Sequence, residues 1–329
     1  MHILITGAAG MIGRKLTARL VRDGALNGRA IARMALTDIV APELPQGAPF
    51  AVATEASDLA APGAAAAAVA HRPDVIFHLA AIVSGEAEAD FQKGYRVNFD
   101  GTRALLEAIR LVGDGYRPRL VFASSIAVFG APFPDAIGDD FFLTPLTSYG
   151  TQKALGEFLL ADYTRRGFLD GVGIRLPTIV VRPGKPNRAA SGFFSSIIRE
   201  PLAGQEAVLP VSEEVRHWFA SPRAAVGFLL HAAGLGREQL GARINLTMPG
   251  LCCTVGEEIA ALARVAGADV TRRIRHEPDE TIAKIVAGWP QNFDARRATA
   301  LGFRAETSFD EIIRAHIEDE LGGRIGRGG

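Results

Sequence analysis

The chain has 329 residues, with 36 Lys+Arg against 36 Asp+Glu and a formal net charge of zero, which excludes a general nucleic-acid binder because that role needs a basic excess. It is long enough to bury about three quarters of its unfolded surface without staples, and its two cysteines, Cys252 and Cys253, are adjacent, a spacing poor for a bridge or a zinc site, so free thiols and no metal are expected. The opening MHILITGAAG lacks a basic segment ahead of a long apolar run, and the Ala-rich stretch 60–70 is broken by Pro62 and Gly63, so neither a signal peptide nor a membrane span is expected, and the chain is read as cytoplasmic.

In chain order, short apolar runs bounded by turn signals at 3–6, 35–37, 75–79, 120–123 and 172–176 read as buried parallel strands. Helical patterns fill the gaps at 11–22, 98–112 and 148–163. This alternation predicts an α/β chain with a doubly wound parallel sheet. Beyond Pro177 the pattern changes, and Pro183, Gly184, Pro186 and Gly192 mark a loop-rich region. Residues 215–233 read as a short strand and a helix that return to the first domain, and 255–266 and 309–321 as helices of a smaller lobe. The expected division is 1–176 with 213–248 for a nucleotide-binding domain, and 177–212 with 249–329 for a substrate-binding lobe.

The first strand runs into TGAAGMIG, with glycines at Gly7, Gly10 and Gly13 and with Met11 and Ile12 between the last two. Gly7 suits a tight turn, Gly10 a close approach of backbone to a pyrophosphate, and Gly13 close packing of helix on strand. The helix that follows offers unpaired N–H groups and a positive dipole end to phosphates. The second strand ends at Asp38, where a carboxylate accepts from a ribose 2′-OH and repels a 2′-phosphate, which favours NAD over NADP.

The catalytic pattern follows. VFASSIAVFG carries Ser124 and Ser125 at the C-terminal end of a strand, where ligands of such sheets bind. YGTQK then sets Tyr149 and Lys153 four apart, on one face of a helix. A phenol near pKa 10 is a poor base at neutral pH, and a lysine ammonium beside it, with a nicotinamide cation, favours the phenolate. Ser125 is positioned to align a substrate oxygen with Tyr149.

TGAAGMIG, HLAA at 78–81, VFASSIAVFG and YGTQK, in this order and spacing, resemble the extended short-chain dehydrogenase/reductases, a family that includes nucleotide-sugar epimerases and dehydratases. The resemblance covers about the first 240 residues and implies a Rossmann domain, NAD and a homodimer. It further implies that Asp58 and Leu59 flank the adenine and that Leu79, Ala80 and Ala81 line the cofactor. Asn98 is expected to brace a helix kink and a relay water near Lys153, and Pro177 and Ile179 to touch the nicotinamide. The dimer would be built on Leu105, Ala108 and Ile109 of one helix and Leu155, Phe158 and Leu159 of another, with packing of the same positions on the sheet as the equal alternative.

The substrate side of the resemblance starts from Arg216 in VRHWFASP, which matches an arginine that often grips a substrate phosphate. Thr178 stands where sugar-nucleotide members often have Asn, Phe129 replaces a frequent Tyr, and the arginine segment continues HWFAS rather than toward an acidic residue. RLPTIVVRPGKPNRAASGFFSSIIREPL and RHWFASPRAAV instead resemble a sugar-acid dehydrogenase branch, which implies oxidation of the C2 hydroxyl of a four-carbon sugar acid to its 2-oxo acid. The implied substrate contacts are Ser84, Ser125, Tyr149, Thr178, Ser191, Phe194, Arg216 and Trp218. Arg216 is expected as carboxylate donor, with His217 or Arg182 next, and Lys185 and Arg188 add basic charge nearby. A nucleotide-sugar epimerase or dehydratase that retains its NAD is the alternative. A non-catalytic NAD-sensing protein is a third reading, weakened by the intact Ser125/Tyr149/Lys153 set.

Overall fold

The computed structural model describes residues 1–184 and 190–326. Besides a short hairpin of Ala25–Leu26 with Arg29–Ala30, its strands are β1 (His2–Thr6), β2 (Arg33–Asp38), β3 (Ala51–Ala56), β4 (Val75–His78), β5 (Arg119–Ser125), β6 (Asp170–Leu176), β7 (Thr178–Ile179), β8 (Ala207–Leu209), β9 (Arg216–Ala220), β10 (Asn245–Thr247), β11 (Leu251–Thr254) and β12 (Ile274–His276). Seven of them form one sheet in the order β10-β6-β5-β4-β1-β2-β3, with every pairing parallel. Strand order reverses between β1 and β4, and in such sheets the ligand crevice opens at the C-terminal strand ends beside that reversal.

The central strands are continuous apolar runs because helices cover both faces: all five residues of β1 and all four of β4 are buried. The principal helices are α1 (Met11–Asp23), α2 (Gly101–Val112), α3 (Ser148–Arg165), α4 (Gly192–Leu202), α5 (Pro222–Ala232), α6 (Val255–Ala266) and α7 (Phe309–Glu320). On α1 the buried positions Gly13, Leu16, Thr17 and Leu20 form one stripe. Complete burial of Leu16 and Leu20 contributes roughly 1.5–3 kcal/mol each. Gly24 ends the helix in the left-handed region, its N–H returning to the Leu20 carbonyl.

A second core belongs to the residues beyond the sheet. Phe194, Ile197 and Leu202 of α4, Phe219 of β9, Leu262 of α6 and Ile313 of α7 pack together. Here β7, β9 and β11 form a separate three-stranded sheet, and β8 pairs with β12. The segment expected to return to the first domain therefore divides. Its helix α5 packs against α1 and β6, whereas its strand β9 pairs with β7 and β11. The chain rejoins the large sheet later, through β10 beside β6.

Two other expectations change. The helix expected from residue 98 starts earlier, as a π-helical run Tyr95–Asp100 that leads into α2. Leu105 and Ile109 are fully buried and Ala108 nearly so, packed into the core of the large sheet, so these positions cannot also form a free dimer face. Of the six positions named for that face, Phe158 is the exposed one, at 61 %.

Candidate active site

A cleft of about 490 Å³ runs along the C-terminal ends of β1, β4, β5 and β6. Its cofactor end is lined by Gly7, Gly10, Met11, Ile12, Gly13, Leu79 and Ala81. A Cβ on Gly13 would lie 2.3 Å from the Gly7 carbonyl oxygen, so the turn closes on itself only with glycine there. Gly10 caps α1 without any side-chain hydrogen bond, leaving the N-terminal N–H groups free to face the cleft. These residues fit the pyrophosphate of a dinucleotide. Asp38, at the end of β2, accepts from the Ala9 N–H at 2.9 Å and the Ile39 N–H at 2.7 Å, so it also ties the glycine turn to the neighbouring strand. Arg33 lies at the opposite end of the same strand.

The floor beneath this end is a chain of buried polar groups. Thr102 donates to the Asn98 carbonyl at 2.7 Å, so its oxygen receives the His78 Nε2–H at 2.9 Å. His78 Nδ1 then accepts from Thr6 at 2.7 Å. Burial holds this imidazole neutral, with its pKa lowered to about 3. Asn98, in the π-helical run, accepts the Ile82 N–H at 2.8 Å and donates to Gln152 at 2.7 Å, so it braces the kinked helix against the cleft wall and against the neighbour of Lys153. Asp58, Leu59 and Ala80 lie outside the lining: Asp58 pairs with Arg96, and Leu59 is packed in the core. Pro177 and Ile179 line the cleft.

Ser125, Tyr149 and Lys153 come together in the middle of the cleft. Thr147 caps α3 by accepting the Gly150 N–H at 3.0 Å, which puts Tyr149 in the first turn. A Cβ on Gly150 would lie 2.1 Å from the Ala127 carbonyl oxygen, so glycine beside the tyrosine lets the helix start against the Ser125 segment. Lys153 is 3 % exposed and donates to the Ala123 carbonyl at 2.8 Å. Burial lowers its pKa to about 8, opposed by the Glu157 carboxylate. One turn on, buried Glu157 accepts from Arg175 through three bonds, at 2.9, 3.2 and 2.8 Å, and from Ser124 at 2.6 Å.

Burial raises the Tyr149 pKa, against the lowering effects of the Ser125 hydroxyl and the Arg182 guanidinium. The Lys153 ammonium lies 5.7 Å from the tyrosine ring centre and donates to the Ala123 carbonyl, and the Arg182 guanidinium is a second cation that favours the phenolate.

Arg182, Ser191, Thr178, Ser84 and His217 line the substrate end, with Arg199, Trp289 and Pro290, which the sequence reading did not include. Arg216 and Trp218 are not in the lining, a correction that one rule explains. Alternate side chains of a strand face opposite ways. His217 turns into the cleft, whereas Arg216 turns outward, with its side chain 43 % exposed near Glu257, and Trp218 packs on Phe293. Phe194 is fully buried behind the wall and stacks on His217. Lys185 and Arg188 fall outside the described residues. Arg182 donates from Nε to the Ile179 carbonyl at 3.0 Å and from Nη2 to Ser191 at 3.2 Å, and among the described residues it has no carboxylate partner. Arg199, by contrast, is paired with Glu200 at 2.6 Å. No cluster of three metal-ligating side chains occurs among the described residues, and no described helix is long and apolar enough to cross a membrane.

The glycine cradle, the Ser/Tyr/Lys cluster and the sheet order agree with a family-level match over residues 3–233 to the NAD dependent epimerase/dehydratase family. The chain belongs to this family. Within it, D-erythronate dehydrogenase of Cupriavidus necator is 50 % identical over 97 % of this chain and 98 % of its own length. D-erythronate dehydrogenase of Haemophilus influenzae is 42 % identical over 98 % of this chain and 100 % of its own. A crystal structure described as a nucleoside-diphosphate-sugar epimerase from Agrobacterium tumefaciens is 64 % identical, with TM-score 0.97 over 98 % of this chain and 95 % of that one. Family membership makes NAD the cofactor of this chain, and its two full-length curated relatives make it an enzyme of the dehydrogenase kind.

Proposed function

We propose that the chain oxidises the C2 hydroxyl of D-erythronate, or a close four-carbon sugar acid, to the 2-oxo acid. The observation that carries this reading is Arg182. A largely buried guanidinium without a carboxylate partner among the described residues is costly unless an anion completes it. A substrate carboxylate supplies that anion through a charge-assisted pair, within electrostatic reach of Tyr149. Arg199 is neutralised by Glu200, so Arg182 is the substrate-end cation among the described residues that a carboxylate would complete. Arg216, at the position that often grips a phosphate, faces away.

The mechanism assigns each side chain one task. Ser125, whose hydroxyl acts on the Tyr149 phenol, donates to the substrate oxygen and holds it against Tyr149. Tyr149, as phenolate, takes the C2 hydroxyl proton. Lys153, fixed by the Ala123 carbonyl, keeps positive charge behind it below about pH 8. Bound NAD supplies the hydride acceptor for the C2 hydrogen. Asp38 at the ribose end favours NAD over NADP.

A second reading, a nucleotide-sugar epimerase, is favoured by the description of the 64 % identical crystal structure. The test is NADH absorbance with D-erythronate and NAD, beside isomer analysis of UDP-sugars. Net NADH with the acid supports dehydrogenation. UDP-sugar isomerisation without NADH from any acid rejects it in favour of the epimerase.

A further inference from the structure

We propose that one face of α4, made by Ser191, Ser195 and Arg199, is a frame that fixes the position of Arg182, and that Ser195 and Arg199 are positioning residues for the acid substrate, acting through that guanidinium. The proposal rests on the dehydrogenase reading above and adds to it the groups that aim the carboxylate donor.

Arg182 stands where the chain leaves the three-stranded sheet. Val180 still gives its N–H to the Ala220 carbonyl at 3.0 Å, but Arg182 is followed by Pro183, which has no N–H and disfavours helix at the residue before it. The backbone groups of residue 182 therefore need partners from outside a ladder. The helix α4 supplies them. The N–H donates to Ser195 Oγ at 3.0 Å, and the carbonyl accepts from Arg199 Nη1 at 2.6 Å. The side chain is held from the same helix, with Nη2 donating to Ser191 Oγ at 3.2 Å, while Nε donates to the Ile179 carbonyl at 3.0 Å. Ser191 occupies the N-cap position of α4 yet makes no capping bond with its side chain, so its hydroxyl serves Arg182 instead.

Positions 191, 195 and 199 are four apart and lie along one face of the helix, and each bonds a different part of residue 182. That face cannot turn away, because Phe194, Ile197, Ile198 and Leu202 are fully buried in the second core. Arg199 is itself anchored, its Nη2 donating to Glu200 at 2.6 Å and to Ser196 at 3.3 Å. Its charge is thus matched, and its Nη1 holds the carbonyl of residue 182. On Arg182, Nε and one Nη2 hydrogen are used in this frame, which leaves three of the five guanidinium donors for a carboxylate among the described residues. A forked pair of that kind depends on angle as well as distance, so a guanidinium that drifts loses it.

Steady-state NADH formation with D-erythronate and with its neutral amide tests the frame. The enzymes are the wild type, Ser195→Ala, Arg199→Lys, Ser196→Ala and the double variant Arg199→Met with Glu200→Gln, with melting curves as the control for folding. The double variant removes both charges of the pair together, so no buried carboxylate is left unpaired. Ser195→Ala and the double variant are expected to raise KM for the acid about fivefold or more, with kcat and the amide kinetics within about threefold of the wild type. Arg199→Lys, with charge but without the planar fork, is expected to fall between. Ser196→Ala removes a bond to Arg199 but none to residue 182, and is expected to stay within about twofold. If the double variant fails to melt cooperatively, Ser195→Ala and Arg199→Lys decide. An acid KM unchanged in the folded variants of Ser195 and Arg199 overturns the frame and leaves Arg182 as carboxylate donor. Equal losses toward acid and amide overturn it as well, because they report a general disturbance and not a displaced carboxylate donor. No NADH from the acid with the wild type rejects the dehydrogenase reading and the frame with it.

Discussion

Replacing Arg182 isolates the charge that distinguishes a sugar acid from any other alcohol. Arg182→Met keeps much of the side-chain volume and removes the guanidinium. It deletes the bonds to the Ile179 carbonyl and to Ser191, and leaves the backbone N–H of residue 182 on Ser195 in place. Loss of a hydrogen bond to a charged group costs about 1.5–3 kcal/mol, which is roughly 10- to 150-fold in kcat/KM. The phenol adds to this, since removing the cation that lowers the Tyr149 pKa moves the alkaline activation of kcat/KM to higher pH. The assay is steady-state NADH formation across pH, with D-erythronate and with its neutral amide. The acid is expected to lose 10-fold or more relative to the amide, and Arg182→Lys to fall between, having charge without the planar fork. Arg216→Ala, on the outward face of β9, is expected to change kcat/KM less than twofold. Equal losses for acid and amide in Arg182→Met, or a larger loss in Arg216→Ala, would refute Arg182 as the carboxylate donor.

Tyr149→Phe is expected to reduce turnover at least ~10²-fold, the low end for general acid–base catalysis, with NAD binding retained by fluorescence titration; near-normal turnover removes it as base. NAD should exceed NADP in kcat/KM, and Asp38→Ala should narrow the gap while raising KM for NAD, because Asp38 also holds Ala9; equal use of both cofactors by the wild type contradicts the assignment. His78 and His217, with folded pKa values near 3 against 6.5 unfolded, bind protons only in the unfolded chain between those values, so stability falls as pH drops from 6.5 toward 3 by about 1.4 kcal/mol per unit for each group; a flat melting temperature from pH 6.5 to 4.5 contradicts this. Light scattering should give a dimer at micromolar concentration, and Phe158→Lys should shift it toward monomer; a wild-type monomer rejects the assembly.

The sheet was legible where strands are buried on both faces, because there the apolar runs are unbroken, as in HILIT and VIFH. The edge strand AVATEA has no unbroken apolar run and is mostly exposed, so its pattern does not mark it as a buried strand. At the site, the glycine turn and the Ser125/Tyr149/Lys153 set were legible because their spacing alone places them on one turn and one helix face. The substrate end was not, for a local reason. Reading Arg216 and Trp218 as pocket residues takes two positions of one strand face and leaves His217 between them as the alternative donor, and no periodicity in five residues says which face is inward. Trp289 and Arg199 arrive from distant sequence and carry no motif, so only the tertiary packing brings them to Thr178.

The Arg175–Glu157–Ser124 cluster has a consequence for how this enzyme could change its substrate. It clamps α3 to β5 and β6 by directional bonds between groups buried to 6 % exposure or less. Breaking such a pair from one side costs about 3–5 kcal/mol, and a slip by one helical turn would break all of it. The height of Tyr149 above the sheet is therefore fixed by buried residues behind the cleft wall. The side chains that line the proposed substrate end of the cleft, apart from Ser84, follow the sheet strand β6: Thr178, Arg182, Ser191, Arg199, His217 and Trp289. Exchange of those side chains redraws the list of accepted alcohols without disturbing the machinery that oxidises them, so new chemistry on this scaffold comes from retailoring one rim of the crevice rather than from rebuilding its base.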